Sequence, residues 1–497
     1  MRENSFDLIV VGAGPTGENV AQRAVKAGLS VAIVESGLVG GECSYYACIP
    51  SKVLLRSSAA REAARRVEGA KEAVTGPLDA SAVLARRTRM VKNWTDDDQA
   101  EWLNKKGIML LRGRGRIAGE CIMEVTGNDG AVARFTARHA VAICTGTDPD
   151  LPPIPGLAEA SPWTNREATR ADRVPGRLAI LGGGPEACEL AQAWRSLGAK
   201  EVTILERADR LLERMEPFVG DRIAAAFRSI GISVHTEINV TRVQRRTSAS
   251  PSQMASPVQI WFENPKTGPA SIETDEILVA TGRVPNTRDI GLDSVQLKPG
   301  TWLDVDDTCR VKGIAAGWLY AVGDVNHRAL LTHMGKYQAR ACGDAIAARA
   351  KGELKEPPGA ASIKPSIKPW SRWSTTADHA AVPQVIFTDP EVAAVGLTEA
   401  KAREAGLSIR AIEYDLSHIT GGQLVADGYQ GQAKMIVDEN RRVIVGATLV
   451  GQDVGEMIHA FTIAIVGEVP LERLWHAVPC FPTISEIWLR LLESYGL

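Results

Sequence analysis

The sequence predicts an α/β protein: two parallel-sheet units of βαβ type, followed by a smaller α+β domain. Three observations predict it. A continuous apolar strand, a glycine-rich turn, a helix and a second strand follow one another near the N-terminus, and the same succession returns at Arg177. The chain has 497 residues, which points to about three domains rather than one core. Beyond residues 353–380, a stretch rich in Pro, Ser, Ala and Lys, strand-like and helical runs are mixed without the βαβ order.

The first strand reads Asp7-Leu-Ile-Val-Val-Gly12, an unbroken apolar run suited to a strand covered on both faces. A helix is expected from about residue 14 to 28, and the second strand over 30–35. The repeat opens with Arg177-Leu-Ala-Ile-Leu-Gly182, a helix to about residue 197 and a strand over 201–206. Between the two units, 135–145 reads as a strand and 152–155 as a connection. Residues 353–380 read as a linker or surface excursion. Beyond it, a strand over 442–449 and helices over 456–466 and 485–493 suggest a separate α+β domain.

Composition narrows the classes of function. Apolar residues make up 45% and charged residues 23%, the profile of a soluble globular protein. A net charge of -2 gives no electrostatic case for nucleic acid or an anionic membrane. No apolar run approaches the ~18–20 residues that span a bilayer. Met1 to Asp7 are short and polar and lack the regions of a secretory signal, so a cytoplasmic location is expected. Eight cysteines are too few for a disulfide scaffold. Cys121, Cys144, Cys188, Cys309, Cys342 and Cys480 are isolated, and each reads as a small buried residue. Only Cys43 and Cys48 lie close together. In a reducing compartment such a pair is more often catalytic or metal-binding than structural.

Gly12-Ala-Gly14-Pro-Thr-Gly17 stands between the first strand and its helix. The first glycine permits the tight turn, the second lets a pyrophosphate reach the backbone, and the third lets helix and strand pack closely. The helix N-terminus supplies free N–H groups and a positive dipole end. Glu35, ending the second strand, can accept from ribose hydroxyls. Strand, turn, helix and acid together make a Rossmann-like dinucleotide site. Gly182-Gly-Gly184-Pro-Glu-Ala187 is a second fingerprint, with Glu206 at the matching strand end.

The stretch Gly40-Gly41-Glu-Cys43-Ser-Tyr-Tyr-Ala-Cys48-Ile-Pro50-Ser-Lys52 follows the first unit. If it begins a helix, the two sulfurs can lie within reach of an S–S bond. Pro50 suits an early helical position, and a thiolate near a helix start and Lys52 is stabilised. Tyr45 and Tyr46 read equally as an aromatic pocket or as core.

With these residues the chain resembles the pyridine nucleotide-disulfide oxidoreductases, the family of dihydrolipoamide dehydrogenase, glutathione reductase, mercuric reductase and soluble transhydrogenase. The resemblance covers nearly the whole chain, with 353–380 the main exception. It implies an FAD-binding domain over 1–150 and 283–352, an NAD(P)-binding domain over 151–282, a linker over 353–380 and a dimerisation domain over 381–497. It implies that Cys48 faces the flavin, that Cys43 is the interchange thiol, and that Lys52 sits beside the flavin and pairs with Glu189. Gly41 of the cysteine motif counts with the FAD site. Cys144-Thr145-Gly146 and Ala280-Thr281-Gly282 match the family's two A-T-G turns, and Gly323-Asp324 its ribityl-binding motif. Leu331-Thr332-His333 resembles the segment under the isoalloxazine, with His333 packing or bonding to the backbone rather than acting as a base.

Glu206 favours NADH, because a carboxylate there accepts from a ribose 2′-hydroxyl and repels a 2′-phosphate. Arg207, Arg210 and Ala187 keep NADPH open. Pro185 departs from the residue that gates the nicotinamide pocket in the family. A larger departure lies near the C-terminus. Disulfide-reducing relatives carry His-Pro-Thr-x-Ser-Glu, whose histidine serves the partner subunit. This chain reads Phe481-Pro482-Thr483-Ile-Ser485-Glu486, and phenylalanine cannot transfer a proton. Glu486 remains, and His476 and Cys480 are nearby candidates that read better as structural residues.

The expectation is a homodimeric enzyme carrying electrons from NAD(P)H through FAD to Cys48–Cys43, then to a small-molecule or thiol/disulfide acceptor. No metal site is expected. A quinone or metal-ion reductase, or a transhydrogenase, working directly from flavin is the alternative. A redox-sensing flavoprotein without turnover is the third reading.

Overall fold

The computed structural model describes residues 4–246, 256–354 and 367–497. Of the expected linker, 355–366 lie outside the described residues. The chain divides into two compact units. One is Met1–Cys48, Val91–Asp148 and Arg283–His379; the other is Ile49–Met90, Pro149–Gly282 and Ala380–Leu497.

The first fingerprint joins strand β1 (Ser5–Val11) to helix α1 (Pro15–Lys26) and strand β2 (Val31–Glu35). The cysteines follow on α2 (Gly41–Tyr45) and α3 (Cys48–Arg65). The second fingerprint joins β3 (Arg177–Leu181) to α4 (Pro185–Ser196) and β4 (Glu201–Leu205). Helix α5 spans Thr332–Ala350.

In the first unit, β1 is central. It pairs in parallel with β2 and with Val132–Ile143, in registers such as Ile9↔Ala32 and Ile9↔Val141. Strand Ile108–Arg112 extends the sheet beyond β2, and Leu319–Ala321 adds in parallel to Val132–Ile143. The first half of that long strand pairs antiparallel with Ile122–Thr126, which pairs with Arg114–Ile117. Leu8, Ile9 and Val10 are fully buried, as an all-apolar run under two layers must be. One covering layer is α1 packed on α5.

The second unit holds a four-stranded parallel sheet, ordered Ile232–His235, β4, β3, Glu276–Val279. It also holds an antiparallel meander, Asn239–Arg245, Val258–Asn264 and Gly268–Thr274, which the sequence pattern did not announce. Its C-terminal part is a five-stranded antiparallel sheet backed by helices Val454–Val466 and Ile487–Tyr495. This sheet is not walled off from the nucleotide fold before it. Ile386, Val392 and Val450 lie in one buried cluster with Leu178, Leu190 and Trp194. No helix among the described residues is long and apolar enough to cross a membrane.

Candidate active site

The two fingerprints are built with the same device. Gly12 has φ +99°, and a Cβ there would stand 2.5 Å from the carbonyl oxygen of Cys144. Gly182 has φ +103°, and its Cβ would stand 2.5 Å from the carbonyl oxygen of Ala280. Each first glycine thus rests on the C-T-G or A-T-G turn that the sequence singles out, in a conformation side chains disfavour. Gly14 and Gly184 are the helix caps, each followed by proline at the first helical position.

Each strand-end glutamate folds back to its turn. Glu35 Oε2 accepts from Ala13 N at 2.7 Å, and Oε1 from Gly37 N at 2.7 Å. Glu206 Oε1 accepts from Ala208 N at 2.6 Å, and a Cβ on Gly183 would meet Glu206 Oε2 at 2.8 Å. Arg210 is held by Asp209 at 3.2 Å and by the carbonyl of Glu213 at 3.1 Å. Arg207 lines a cavity with Glu237, Asn239 and Glu263.

In the first unit, α2 starts so close to α1 that a Cβ on Gly41 would lie 2.8 Å from Gly14 Cα. Gly17 is buried in α1. The Thr145 and Gly146 carbonyls accept from the side chain and backbone of Asn286, and Thr145 Oγ1 is buried without a hydrogen-bond partner. Asp324 Oδ2 accepts from Thr147 Oγ1 at 3.2 Å, and burial raises this carboxyl above its usual range. Gly323 N donates to Gln338 Oε1 at 2.8 Å. The orphaned hydroxyl, the buried acid and the Gly14–Gly41 cradle fit a dinucleotide such as FAD.

Arg283 joins this group. Its guanidinium donates to Thr147 Oγ1 at 2.6 Å and to the Thr147 carbonyl at 2.8 Å, and it is ion-paired with Glu42. Sequence reasoning passed over Arg283 and Thr147. Their signal was adjacency, since Arg283 follows Gly282 and Thr147 follows Gly146 directly.

The cysteine motif is not one helix. Cys43 lies in α2 and Cys48 opens α3, with a break at Tyr46 and Ala47. Both are free thiols and hydrogen-bonding neighbours. That hydrogen bond and burial push the Cys43 thiol far up, while Thr332 and Lys336 pull it down. Thr332 Oγ1 lies 3.2 Å from Cys48 Sγ. Leu331 is the residue before α5, and His333 is exposed on that helix rather than packed inside. Tyr45 is core: it is 1% exposed, and its hydroxyl sits 3.1 Å from the carbonyls of Val39 and Thr95.

One turn beyond Cys48 on α3, Lys52 Nζ donates to Glu189 Oε2 at 2.6 Å. Glu189 Oε1 accepts from Phe387 N at 2.9 Å, and Lys52 lies over the Phe387 ring at 5.1 Å. Removing the buried carboxylate strands both donors. Lys52 is 36% exposed, so solvent screens part of the loss. Glu189→Ala is expected to cost about 1–3 kcal/mol in urea unfolding, and Glu189→Gln about half that. A stability equal to the parent's would remove the pair's structural role.

At the C-terminus, His476 is exposed, and Phe481 is 72% exposed. Glu486 is buried, its Oε2 has no hydrogen-bond partner, and Arg490 lies 4.0 Å from its Oε1. The expectation of six buried cysteines fails twice. Cys480 is exposed and Cys121 half-buried, because both lie outside the sheets and helices, Cys121 in a turn. Among the described residues no His, Cys, Asp and Glu group can hold a metal ion.

Comparison with known proteins agrees with this architecture. The family described as "Pyridine nucleotide-disulphide oxidoreductase" matches residues 6–348, and its dimerisation domain matches 382–491. Mercuric reductase of Shigella flexneri is 30% identical over 494 residues, covering 97% of this chain and 79% of that one. Dihydrolipoyl dehydrogenase of Rhizobium etli is 28% identical over 512 residues, covering 99% and 98%. In fold the chain is similar to the HOCl-induced flavoprotein disulfide reductase RclA from Escherichia coli, solved as a Cu(II) complex. There the TM-score is 0.79 at 23% identity, covering 99% of both chains. The chain therefore belongs to the pyridine nucleotide-disulphide oxidoreductases, a family of flavoprotein oxidoreductases whose cofactor set is FAD with NAD(P)H.

Proposed function

We propose that this protein is a cytoplasmic, homodimeric NADH-dependent disulfide reductase that uses Cys43 and Cys48 as its redox pair. The observation that carries the reading is the thiol pair itself: Cys48 Sγ lies 3.2 Å from Thr332 Oγ1, and Cys43, in the same unit, has Cys48 as the first of the groups that raise its thiol. A reactive dithiol of this kind belongs in a reducing compartment. The matched dimerisation domain supports a homodimer.

Gly12, Gly14, Gly17, Glu35, Gly41, Thr145, Gly146, Gly323, Asp324, Leu331, Thr332 and His333 are assigned to FAD, and Gly182, Gly184, Glu206 and Gly282 to the nicotinamide dinucleotide. Held by the first group of residues, FAD would supply hydride-accepting chemistry and an electron pair for a neighbouring disulfide. That pair breaks the Cys43–Cys48 bond and leaves two reduced sulfurs. Cys43 then attacks one sulfur of the acceptor disulfide, and the other sulfur leaves with a proton. Cys48 attacks Cys43 in the mixed disulfide, restores the intramolecular bond and releases the second thiol. The ion pair of Lys52 with Glu189 fixes the lysine one turn past Cys48. Phe481, where disulfide-reducing relatives carry histidine, supports an acceptor that needs no enzyme base at that position. Glu486 and His476 hold no assigned proton-transfer role.

Glu206 at the second turn, and Arg210 engaged by Asp209 and Glu213, support NADH over NADPH. An anaerobic titration with each nucleotide tests both points. NADH is expected to give, at two electrons, a long-wavelength thiolate–flavin band, with NADPH at least about tenfold weaker in kcat/KM. Simple bleaching of the flavin by NADH would leave the thiols silent and move the search to acceptors that react with flavin directly.

A further inference from the structure

A helix as short as α2 does not hold itself. One turn fixes several dihedrals in return for few hydrogen bonds, so the helix that carries Cys43 takes its position from its surroundings. The segment from Lys92 to Gln99, in the same compact unit, meets it at both ends. At the C-terminal end, Trp94 Nε1 donates to the Tyr45 carbonyl at 3.2 Å, and the Tyr45 hydroxyl lies 3.1 Å from the Thr95 carbonyl. At the N-terminal end, Val39 N donates to Asp96 Oδ2 at 2.6 Å, and a Cβ on Gly40 would lie 3.3 Å from Gln99 Nε2. Arg112 pairs with Asp96 at 2.7 Å and also donates to the Gly37 carbonyl at 2.9 Å.

The segment is bent to make these contacts. Lys92, Asn93 and Trp94 have φ of +52°, +51° and +55°, three successive residues in the left-handed region. Side chains disfavour that region, asparagine least among the three. Such backbone persists where the surroundings impose it. Here it ends with the indole N–H on the last residue of α2. Position matters at that point. The backbone leaves the helix at Tyr46, and Cys48 opens α3 two residues on, its Sγ 3.2 Å from Thr332 Oγ1. Cys43 stands on the gripped helix and Cys48 on the next, so holding Tyr45 holds one thiol relative to the other.

We propose that the segment Lys92–Gln99 is a clamp that sets the dithiol–disulfide equilibrium of Cys43 and Cys48, with Trp94 as its positioning residue. The inference rests on the reading of these two cysteines as the redox pair. Its sign follows from entropy. In the disulfide, the S–S bond itself ties α2 to α3, and the clamp restrains little more. In the dithiol nothing covalent does so, and the clamp removes freedom that α2 would otherwise have. The clamp therefore disfavours the dithiol more than the disulfide. Loosening it makes the pair easier to reduce.

The test is equilibration of the FAD-loaded full chain, without oxygen, in mixtures of reduced and oxidised dithiothreitol. Each dithiothreitol gives up two electrons and two protons and closes its own disulfide as the Cys43–Cys48 bond opens to two thiols. Quenching with N-ethylmaleimide and mass spectrometry of the peptide carrying both cysteines give the dithiol fraction. Trp94→Phe keeps an aromatic ring and removes the N–H. Its equilibrium constant is expected to move toward the dithiol by about fivefold, the freedom of roughly one residue. Asp96→Ala, which strands Val39 N at the other end of α2, should move it the same way. A tryptophan that only props up the fold would lower stability in urea and leave this equilibrium where it was. A Trp94→Phe equilibrium at the parent's value, or displaced toward the disulfide, overturns the proposal. A parent whose cysteines stay thiols in oxidised dithiothreitol defeats the redox reading itself, and the clamp with it. A parent that forms the disulfide leaves that reading standing and puts the question to Trp94 alone.

Discussion

Cys48→Ser is expected to leave a folded flavoprotein that still takes hydride from NADH and turns over no disulfide. Serine is close to cysteine in size and can keep the hydrogen bond to Thr332 Oγ1, now 3.2 Å from Cys48 Sγ. The cost in stability should be within about 1 kcal/mol. What serine cannot do is form and break the bond to Cys43. Disulfide turnover should fall by at least about 10³-fold, since the covalent route is removed rather than weakened. Reduction of a one-electron acceptor such as ferricyanide should persist, because it needs no thiol. Stopped-flow measurement of both activities on one preparation is the check. Disulfide turnover within about tenfold of the parent's would mean that the acceptor is reduced without the pair.

Gly12→Ala and Gly182→Ala form the second test, because they break the same device in different units. At both positions φ lies near +100°, and the added Cβ would meet a backbone carbonyl oxygen at 2.5 Å. No rotamer relieves a clash between a Cβ and the main chain, so the turn itself must move. The strain is worth about 1–3 kcal/mol before any clash is counted. Gly12→Ala should purify with under about a tenth of the parent's flavin, read from absorbance. Gly182→Ala should keep its flavin and lose at least about 100-fold in kcat/KM for NADH. Loss of flavin from Gly182→Ala would break the assignment of one cofactor to each fingerprint.

The sequence made the two βαβ units legible because a strand, a glycine turn and a following helix are all local features. Glu35 and Glu206 were readable for the same reason, as each ends a strand next to its own turn. The pairing of Lys52 with Glu189 was not local, and it entered through the family resemblance rather than through spacing. At the cysteines the sequence placed the two sulfurs within reach on the condition that one helix begins there; the backbone instead breaks at Tyr46, whose φ of -135° leaves the helical region. The meander of Asn239–Arg245, Val258–Asn264 and Gly268–Thr274 was missed although its middle strand alternates, burying Val258, Ile260 and Phe262; its first strand fully buries only Val243 and so shows no clear period. Trp94 carried no signal at all. A tryptophan ahead of a run of acids is ordinary in sequence, and only packing shows that its indole reaches the Tyr45 carbonyl.

The cluster joining Ile386, Val392 and Val450 to Leu178, Leu190 and Trp194 bears on how such proteins can be recombined. The sequence match to the dimerisation domain begins at residue 382, as though a cassette started there. The packing has no seam at that point. A chimaera that takes its C-terminal segment from a distant relative would set foreign side chains into the cluster that holds the fully buried Trp194. Overpacking or a void there costs about 1–5 kcal/mol. A chimaera is therefore expected to fold when residues on both sides of the junction change together. The unit that packs together here is the shared core, and it is larger than the domain that the sequence match outlines.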